Sequence, residues 1–340
     1  MIENKTTCII AEIAQAHDGS LGILHSYIDA LADTGIDAIK FQTHIAHAES
    51  SLEEPFRINF SFVDKTRFDY WKRMEFSIDQ WAEIKAHCED VGLEFMSSPF
   101  SQAAVDLLEE LNVKRYKIGS GEVNNLLMLE KIAKTGKPII LSSGMSSLAE
   151  LDEAVAFINR YGNNLAIMQC TTSYPTPPEE LGLNVIKVLK DRYPNHRIGL
   201  SEHTGSIYSS IAAFVLGAEL LEFHAVFNRK MFGPDASSSL EIQEIKEIVA
   251  AVRYLEKSFY NPIDKSDNSA YFGLKKIFEK SLAINKSVKK GHVINFDDLE
   301  AKKPADKGIE ANRYKEVIGR KVNKPLSQWD FITWDLIEDN

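Results

Sequence analysis

Cysteine is scarce: the 340 residues hold three, at positions 8, 88 and 170. Their odd number and wide spacing imply no disulfide framework, and a reducing cytoplasmic setting is expected. A basic excess is missing too, since 39 Lys and Arg stand against 49 Asp and Glu, a formal net charge of −10. That balance argues against a nucleic-acid binder, whose phosphate contacts need a basic face, but not against a local basic pocket for a small anion. No apolar run approaches the roughly 18 residues of a membrane span. The opening MIENKTTCIIAEIA has no basic stretch leading into a long apolar core, so it does not read as a signal peptide. With 44% apolar and 10% aromatic residues, the composition is that of an ordinary soluble globular chain, longer than one small domain and shorter than three.

What is present is an alternation. Eight short apolar runs appear: Cys8 to Ala14, Ala38 to Thr43, Leu93 to Phe100, Arg115 to Glu122, Pro138 to Gly144, Leu165 to Thr171, Arg197 to His203 and Leu220 to Phe227. Segments with helical spacing lie between them, such as LGILHSYIDALADTG, SQAAVDLLEELN and LAELDEAVAFINRYG. Several of these stop at a glycine (35, 92, 136, 162), as a helix C-cap would. Eight such units over about 250 residues predict a (β/α)8 TIM barrel. A doubly wound open sheet is the weaker alternative, because no glycine-rich dinucleotide turn follows the first run.

Chemistry in such a barrel belongs at the C-terminal strand ends. Polar residues stand there in all eight runs: Glu12; Lys40 and Gln42; Ser97 and Ser98; Lys117, Ser120 and Glu122; Ser142 and Ser143; Thr171 and Thr172; Ser201, Glu202 and His203; Glu222 and His224. Any one serine could simply satisfy a turn. Two lysines inside strand patterns are harder to explain that way, since lysine is almost never buried unpaired. Lys40 and Lys117 are therefore expected to enclose an anion: a phosphate, a carboxylate or both. His203 and His224, on neighbouring strands 7 and 8, suit a divalent ion such as Mn²⁺, Mg²⁺ or Zn²⁺ with open positions, able to polarise a carbonyl. His17 is a candidate further rim residue, whereas His25, His87, His196 and His292 receive no role. Asp235 in FGPD faces the same rim from the loop after strand 8. The long segment after strand 2 carries six aromatics between Phe56 and Trp71 and reads as a binding lid or an interface. The domains expected are a barrel over 1–260, a linker over 261–280 and a small, mainly β domain over 281–340. That last domain is too small for much core of its own and is expected to pack against something.

The motifs AEIAQAHDGSLG, AIKFQT, SSPFS, YKIGSGE, LSSGM, CTTSYPTP, GLSEHT, LGAELLEFHAVF and GPD occur in the order found in the sialic acid (N-acetylneuraminate) synthase family, which the chain resembles over nearly its whole length. The tail resembles the SAF (antifreeze-like, β-clip) domain that follows the barrel there. The resemblance implies condensation of phosphoenolpyruvate (PEP) with an N-acylated hexose aldehyde to a nine-carbon nonulosonic acid and phosphate, with C–O cleavage. It also implies a divalent metal, Mn²⁺ first with Mg²⁺ or Co²⁺ as substitutes, and a homodimer in which the SAF domain covers the partner's barrel mouth. Carried over residue by residue, it places PEP on Lys40, Ser98, Lys117, Ser120, Ser142 and Ser201, and the metal on His203 and His224. Catalysis falls to Glu12 with the two histidines, and the sugar to Gln42, Glu122, Tyr174, Glu222 and Asp235.

The chain departs from the family pattern at Ala16, Thr172, Glu202 and the HAVF of strand 8. KKPADKG replaces Lys-Arg-Pro-Gly, so that Lys303 stands where an arginine usually reaches an acyl group. These changes surround the acceptor rather than PEP. They point away from plain N-acetylmannosamine, towards an acceptor such as a 2,4-diacetamido-2,4,6-trideoxyhexose leading to legionaminate or pseudaminate. The rival readings are a metal-dependent aldolase or hydrolase that does not use PEP, and a non-catalytic sugar-binding or coat-assembly protein. The role of Glu202 is left open.

Overall fold

Each of the eight apolar runs forms a strand: β1 (Cys8–Glu12), β2 (Ala38–Thr43), β3 (Glu94–Pro99), β4 (Tyr116–Ile118), β5 (Ile139–Ser142), β6 (Leu165–Cys170), β7 (Arg197–Glu202) and β8 (Leu220–Val226). The computed structural model describes residues 6–58 and 60–338, so the first residues of the amino terminus, on which the signal-peptide reading rests, lie outside the described ones. The sheet runs β3-β2-β1-β8-β7-β6-β5-β4, all parallel. First and last strands are neighbours, in register from Cys8↔Leu220 to Glu12↔His224. That pairing curls the sheet into the expected TIM-type barrel and excludes the open doubly wound sheet. Only the β3–β4 seam lacks a ladder among the described residues. A two-residue strand, β9 (Leu240–Glu241), adds to β8.

The alternation of side chains along a strand sets the layers. Ile9, Ala11, Ile39, Phe41, Phe95, Leu141, Leu200 and Phe223 point outward and pack with helix residues such as Leu24, Ile28, Val105 and Ile248 in the main core. The residues between them point inward, where Ile10, Ala38, Met96, Ile140, Ala166, Met168 and Leu220 form a separate apolar cluster. Gly199 belongs to this inner level because nothing larger fits: a Cβ there would stand 2.6 Å from the Leu220 carbonyl oxygen. One step further along each strand, the inward positions become Glu12, Lys40, Ser98, Ser142, Ser201 and Glu222. The same two-residue period that buries the barrel thus delivers a polar layer on an apolar floor.

The helices begin where short polar caps predict. Ser20 accepts from Ile23 N before Leu21–Ala32, and Ser101 accepts from Ala104 N before Gln102–Glu110. Ser77 and Ser147 build capping boxes before Ile78–Asp90 and Leu148–Asn159. Gly35 and Gly92 take φ of +81° and +80° just past helix ends, the left-handed conformation a C-cap requires. No helix among the described residues is long and apolar enough to cross a membrane.

The chain divides into two units, Met1–Asn261 and Pro262–Asn340. In the second, β10 (Ser281–Ile284) pairs antiparallel with β11 (Leu299–Lys302), and isolated antiparallel bridges such as Val288↔Leu326 and Val322↔Ile337 extend the pattern. Contrary to the expectation of little core, eleven buried apolar residues, among them Leu282, Ile284, Ile294, Val317 and Ile332, pack together within it. Short strands that fold back several times bury Ile and Val without needing length. The segment 261–280 is not all linker either. Its Pro, Asn, Asp and Ser stop near position 269, and the YFGLKKIF that follows forms a turn and the helix Phe272–Phe278.

Candidate active site

A cavity of about 440 Å³ opens over the polar layer, and all fourteen barrel residues expected at a site line it. At its base Glu12 and Lys40, paired across the β1–β2 ladder, bring Oε1 and Nζ to 2.6 Å. Lys117 donates to Ser142 Oγ at 2.7 Å and lies 3.1 Å from Glu222 Oε1, which is also 3.7 Å from Lys40. Ser201 donates to the same Glu222 oxygen at 2.9 Å, and Ser98 receives Lys40 at 3.4 Å. The sequence calls for an anion between the two lysines, and the protein supplies one itself. Glu222, one strand over from Ser201, supplies a carboxylate between them, and spacing along the chain could not show this.

Burial alone would raise the carboxyls of Glu12 and Glu222. For Glu12 the fields of Lys40, His224 and Lys117 overcome that and hold it far below the usual range; for Glu222, Lys117 and Lys40 do so. Burial opposes the charge of Lys40, but Glu12 and Glu222 keep it protonated with a raised pKa. The floor is thus two ammonium groups interleaved with two carboxylates, neutral in sum.

Above it stand the imidazoles of His203 and His224, ring centroids 5.2 Å apart, with the Tyr174 ring 4.2 Å from His203. His203 Nδ1 lies 3.1 Å from the Thr171 carbonyl oxygen, so Nδ1–H donates there and Nε2 is left as the ligand atom. His224 Nε2 is 3.5 Å from Glu12 Oε2. Among the described residues no group of three or more His, Cys, Asp or Glu is arranged to hold a metal. The donor set fits an open site in which two imidazoles are the protein ligands and water or substrate supplies the rest. Asp235 meets Arg57 at 2.8 Å, and the Arg57 guanidinium lies 4.3 Å over Tyr174. Ser120 receives the Gly144 N–H, and Glu122, raised by burial, receives Asn125.

The segment after β2 forms one wall. Thr66 caps the helix Arg67–Met74 with a capping box, and Tyr70, Trp71 and Met74 bury against Ala46 with Phe56, Phe60 and Phe68. Its inner surface gives His44, Glu49, Glu54, Arg57, Arg67 and Trp71 to the cavity. Of these six the sequence singles out only Trp71, through the aromatic density that marks the segment as a lid or an interface; the other five carry no local signal.

Several polar residues of the strand ends lie elsewhere. Ser97 bonds Thr43 Oγ1 at 2.7 Å and Ser143 bonds the Met168 carbonyl at 3.0 Å, so both serve the fold. His17 is not a rim residue: it is buried beside Phe76, its Nδ1 accepting from Gly19 N at 3.0 Å. Glu202, outward by strand parity, takes Thr204 N at 2.9 Å and Ser209 Oγ at 2.9 Å and organises the turn into the next helix. Lys303 belongs to the second unit, with Nζ 5.0 Å over the Phe278 ring.

Comparison with known proteins agrees with this architecture. The chain is 36% identical over 334 residues to the N,N'-diacetyllegionaminic acid synthase of Campylobacter jejuni, covering 96% of this chain and 99% of that protein. It is 33% identical to the human N-acetylneuraminate-9-phosphate synthase over 98% of this chain and 93% of that one. Among solved structures, the N-acetylneuraminic acid (sialic acid) synthetase of Leptospira borgpetersenii serovar Hardjo-bovis superposes with a TM-score of 0.71 at 28% identity, over 80% of this chain and 91% of that one. The profile described as the NeuB family matches residues 27–263, and with these relatives it shows that the chain belongs to the NeuB family.

Proposed function

We propose that the protein is a PEP-dependent nonulosonate synthase. The observation that carries this is the neutral, fully buried floor of Lys40, Lys117, Glu12 and Glu222 directly beneath two imidazoles, in a chain whose relatives are named as legionaminic and neuraminate synthases. Buried lysines whose charge is kept by carboxylates rather than by water can exchange those partners for the oxygens of a bound anion.

In this reading Lys40 and Lys117 hold the phosphate and carboxylate of PEP, with the hydroxyls of Ser98, Ser120, Ser142 and Ser201 fixing its orientation. PEP C3 then faces the acceptor aldehyde, the C–C bond forms, C2 takes up water, and phosphate departs with C–O cleavage. Glu12 Oε1 is committed to Lys40 at 2.6 Å and Gln42 Nε2 at 2.7 Å, which leaves Oε2 as the oxygen that moves a proton to or from the reacting groups. His203 and His224 would hold a divalent ion, Mn²⁺ first with Mg²⁺ or Co²⁺ as substitutes, whose chemistry is to polarise the aldehyde oxygen. Tyr174, Gln42, Glu122 and Asp235 line the acceptor side.

The acceptor we propose is a 2,4-diacetamido-2,4,6-trideoxyhexose. The supports are the departures at Ala16, Thr172 and Lys303 and the 36% identity to a diacetyllegionaminic acid synthase. The family resemblance supports a homodimer and an SAF role for the second unit. The test is phosphate release from PEP with Mn²⁺ across a panel of N-acylated aminohexoses, with mass detection of the nine-carbon product. Release with the diacetamido sugar above N-acetylmannosamine is expected; no release with any acceptor refutes the synthase.

A further inference from the structure

His44 has a setting that the reaction outlined above does not use. Its ring is buried and sandwiched, 3.9 Å from Trp71 at 17° and 4.5 Å from Phe100 at 14°. Nδ1 lies 2.7 Å from Glu49 Oε1, and the Glu49 side chain is only 7% exposed. Nε2 stands 2.9 Å from Gln15 Nε2 and 3.0 Å from Gln42 Oε1. Gln15 Nε2 in turn makes a short hydrogen bond to Gln42 Oε1, and Gln42 Nε2 donates to Glu12 Oε1 at 2.7 Å.

Hydrogen-bond polarity orders this chain of groups. A carboxylate only accepts, so Glu49 fixes the proton of His44 on Nδ1. Nε2 is then an acceptor, as Gln42 Oε1 is, so these two atoms at 3.0 Å do not bond to each other and the Gln15 NH₂ turns towards both. The second N–H of that NH₂ goes to Gln42 Oε1. The Gln42 amide is left with its NH₂ towards Glu12, the orientation a second carboxylate demands. An amide between two carboxylate-anchored neighbours has two orientations that differ by a half-turn. In one of them Gln42 Oε1 would confront Glu12 Oε1 with no proton between; Glu12 opposes that orientation from one end, and the anchored ring, through the Gln15 NH₂, opposes it from the other.

We propose that Glu49 and His44 form a positioning dyad which, through Gln15 and Gln42, saturates Glu12 Oε1 and so leaves Oε2 as its single reactive oxygen. The dyad touches no reacting atom. Trp71 and Phe100 clamp the ring against rotation, and the reach from the loop after β2 to β1 makes that loop part of the catalytic apparatus. This assignment rests on the synthase reading of the floor.

The experiment is His44→Gly in the full chain, assayed for phosphate release with and without imidazole, beside Glu49→Gln. Removing the ring leaves a slot between two aromatic faces that free imidazole fits. The expected result is a kcat about 10²-fold lower, the scale of a misplaced catalytic group, with the KM for PEP unchanged because lysines and not Gln42 meet its charges. Imidazole restores at least a tenth of the wild-type rate to His44→Gly but not to Glu49→Gln, whose ring is still in place. A folded His44→Gly with unchanged kcat, or a loss that imidazole leaves untouched, overturns the dyad. Wild-type protein that releases no phosphate with any acceptor refutes the synthase reading, and the positioning role falls with it.

Discussion

Lys117 Nζ and Glu222 Oε1 lie 3.1 Å apart with both side chains 2% exposed, so each is the other's main compensation in the barrel floor. Lys117→Met therefore leaves the buried Glu222 carboxylate with Ser201 and the more distant Lys40 alone, and a loss on the order of 3 kcal/mol in the unfolding free energy is expected. The double variant Lys117→Met/Glu222→Leu should recover at least half of that, because Lys40 keeps Glu12 at 2.6 Å. Denaturant titration of the three proteins decides it. A double variant less stable than the single one contradicts the pairing.

Acid sensitivity is expected from His17. Burial first, then the neighbouring His44 and Arg73, depress its pKa to about 3, and its Nδ1 is occupied in accepting from Gly19 N. The unfolded chain takes up this proton near pH 6.5 and the folded chain does not. The stabilisation is thus complete above about pH 6.5 and is lost as pH falls through the window towards 3. His17→Asn can accept from Gly19 without titrating. Its unfolding free energy should fall by about 2 kcal/mol less than wild type between pH 6.5 and pH 5, as measured by urea unfolding at each pH. Parallel losses would remove His17 as the cause.

Glu202 separates fold from chemistry. Its carboxylate receives Thr204 N and Ser209 Oγ, and Glu202→Gln should cost about 1–3 kcal/mol of stability, with kcat within about twofold of wild type. A fall in kcat without a fall in stability would place Glu202 in the reaction after all.

Chelation tests the two imidazoles. Phosphate release should stop in EDTA and return with Mn²⁺ in the wild type. His203→Ala and His224→Ala should each fail to respond to Mn²⁺ while keeping the wild-type melting curve without metal. Full metal-dependent turnover in either variant would reassign the ligands.

How far the sequence reveals all this follows from period and distance. Strands of period two ending in Glu12, Lys40 and Ser201 declare both the barrel and the face that carries polar groups, because neighbouring ladders enforce the register. Family motifs add Tyr174, which sits in a loop without any period, and give a role to Asp235, which the position of its loop already brings to the rim. The sequence hides contacts between strands that depend on side-chain reach. Glu222 filling the space between Lys40 and Lys117 is one, and Gln15 meeting His44 is another. Arg57 and Arg67 are hidden for a different reason. They lie in an irregular segment whose conformation is set by packing around Tyr70 and Trp71, and no local rule orients a side chain there. Glu202 lies between Ser201 and His203, which both line the cavity, and strand parity turns it outward to Thr204 and Ser209.

The register of β1 against β8 sets Glu12 beside His224, which places the earliest and the latest strands of the barrel at one cavity. During synthesis the lysine of β2 and the serines of β3 to β5 exist long before His224 leaves the ribosome. A nascent barrel therefore has no competent centre until its final strand docks, and loop closure over most of the unit must come first. On the proposed function, activity and completion of the fold are one event, and a chain truncated before β8 is expected to be inert however well its earlier strands are made.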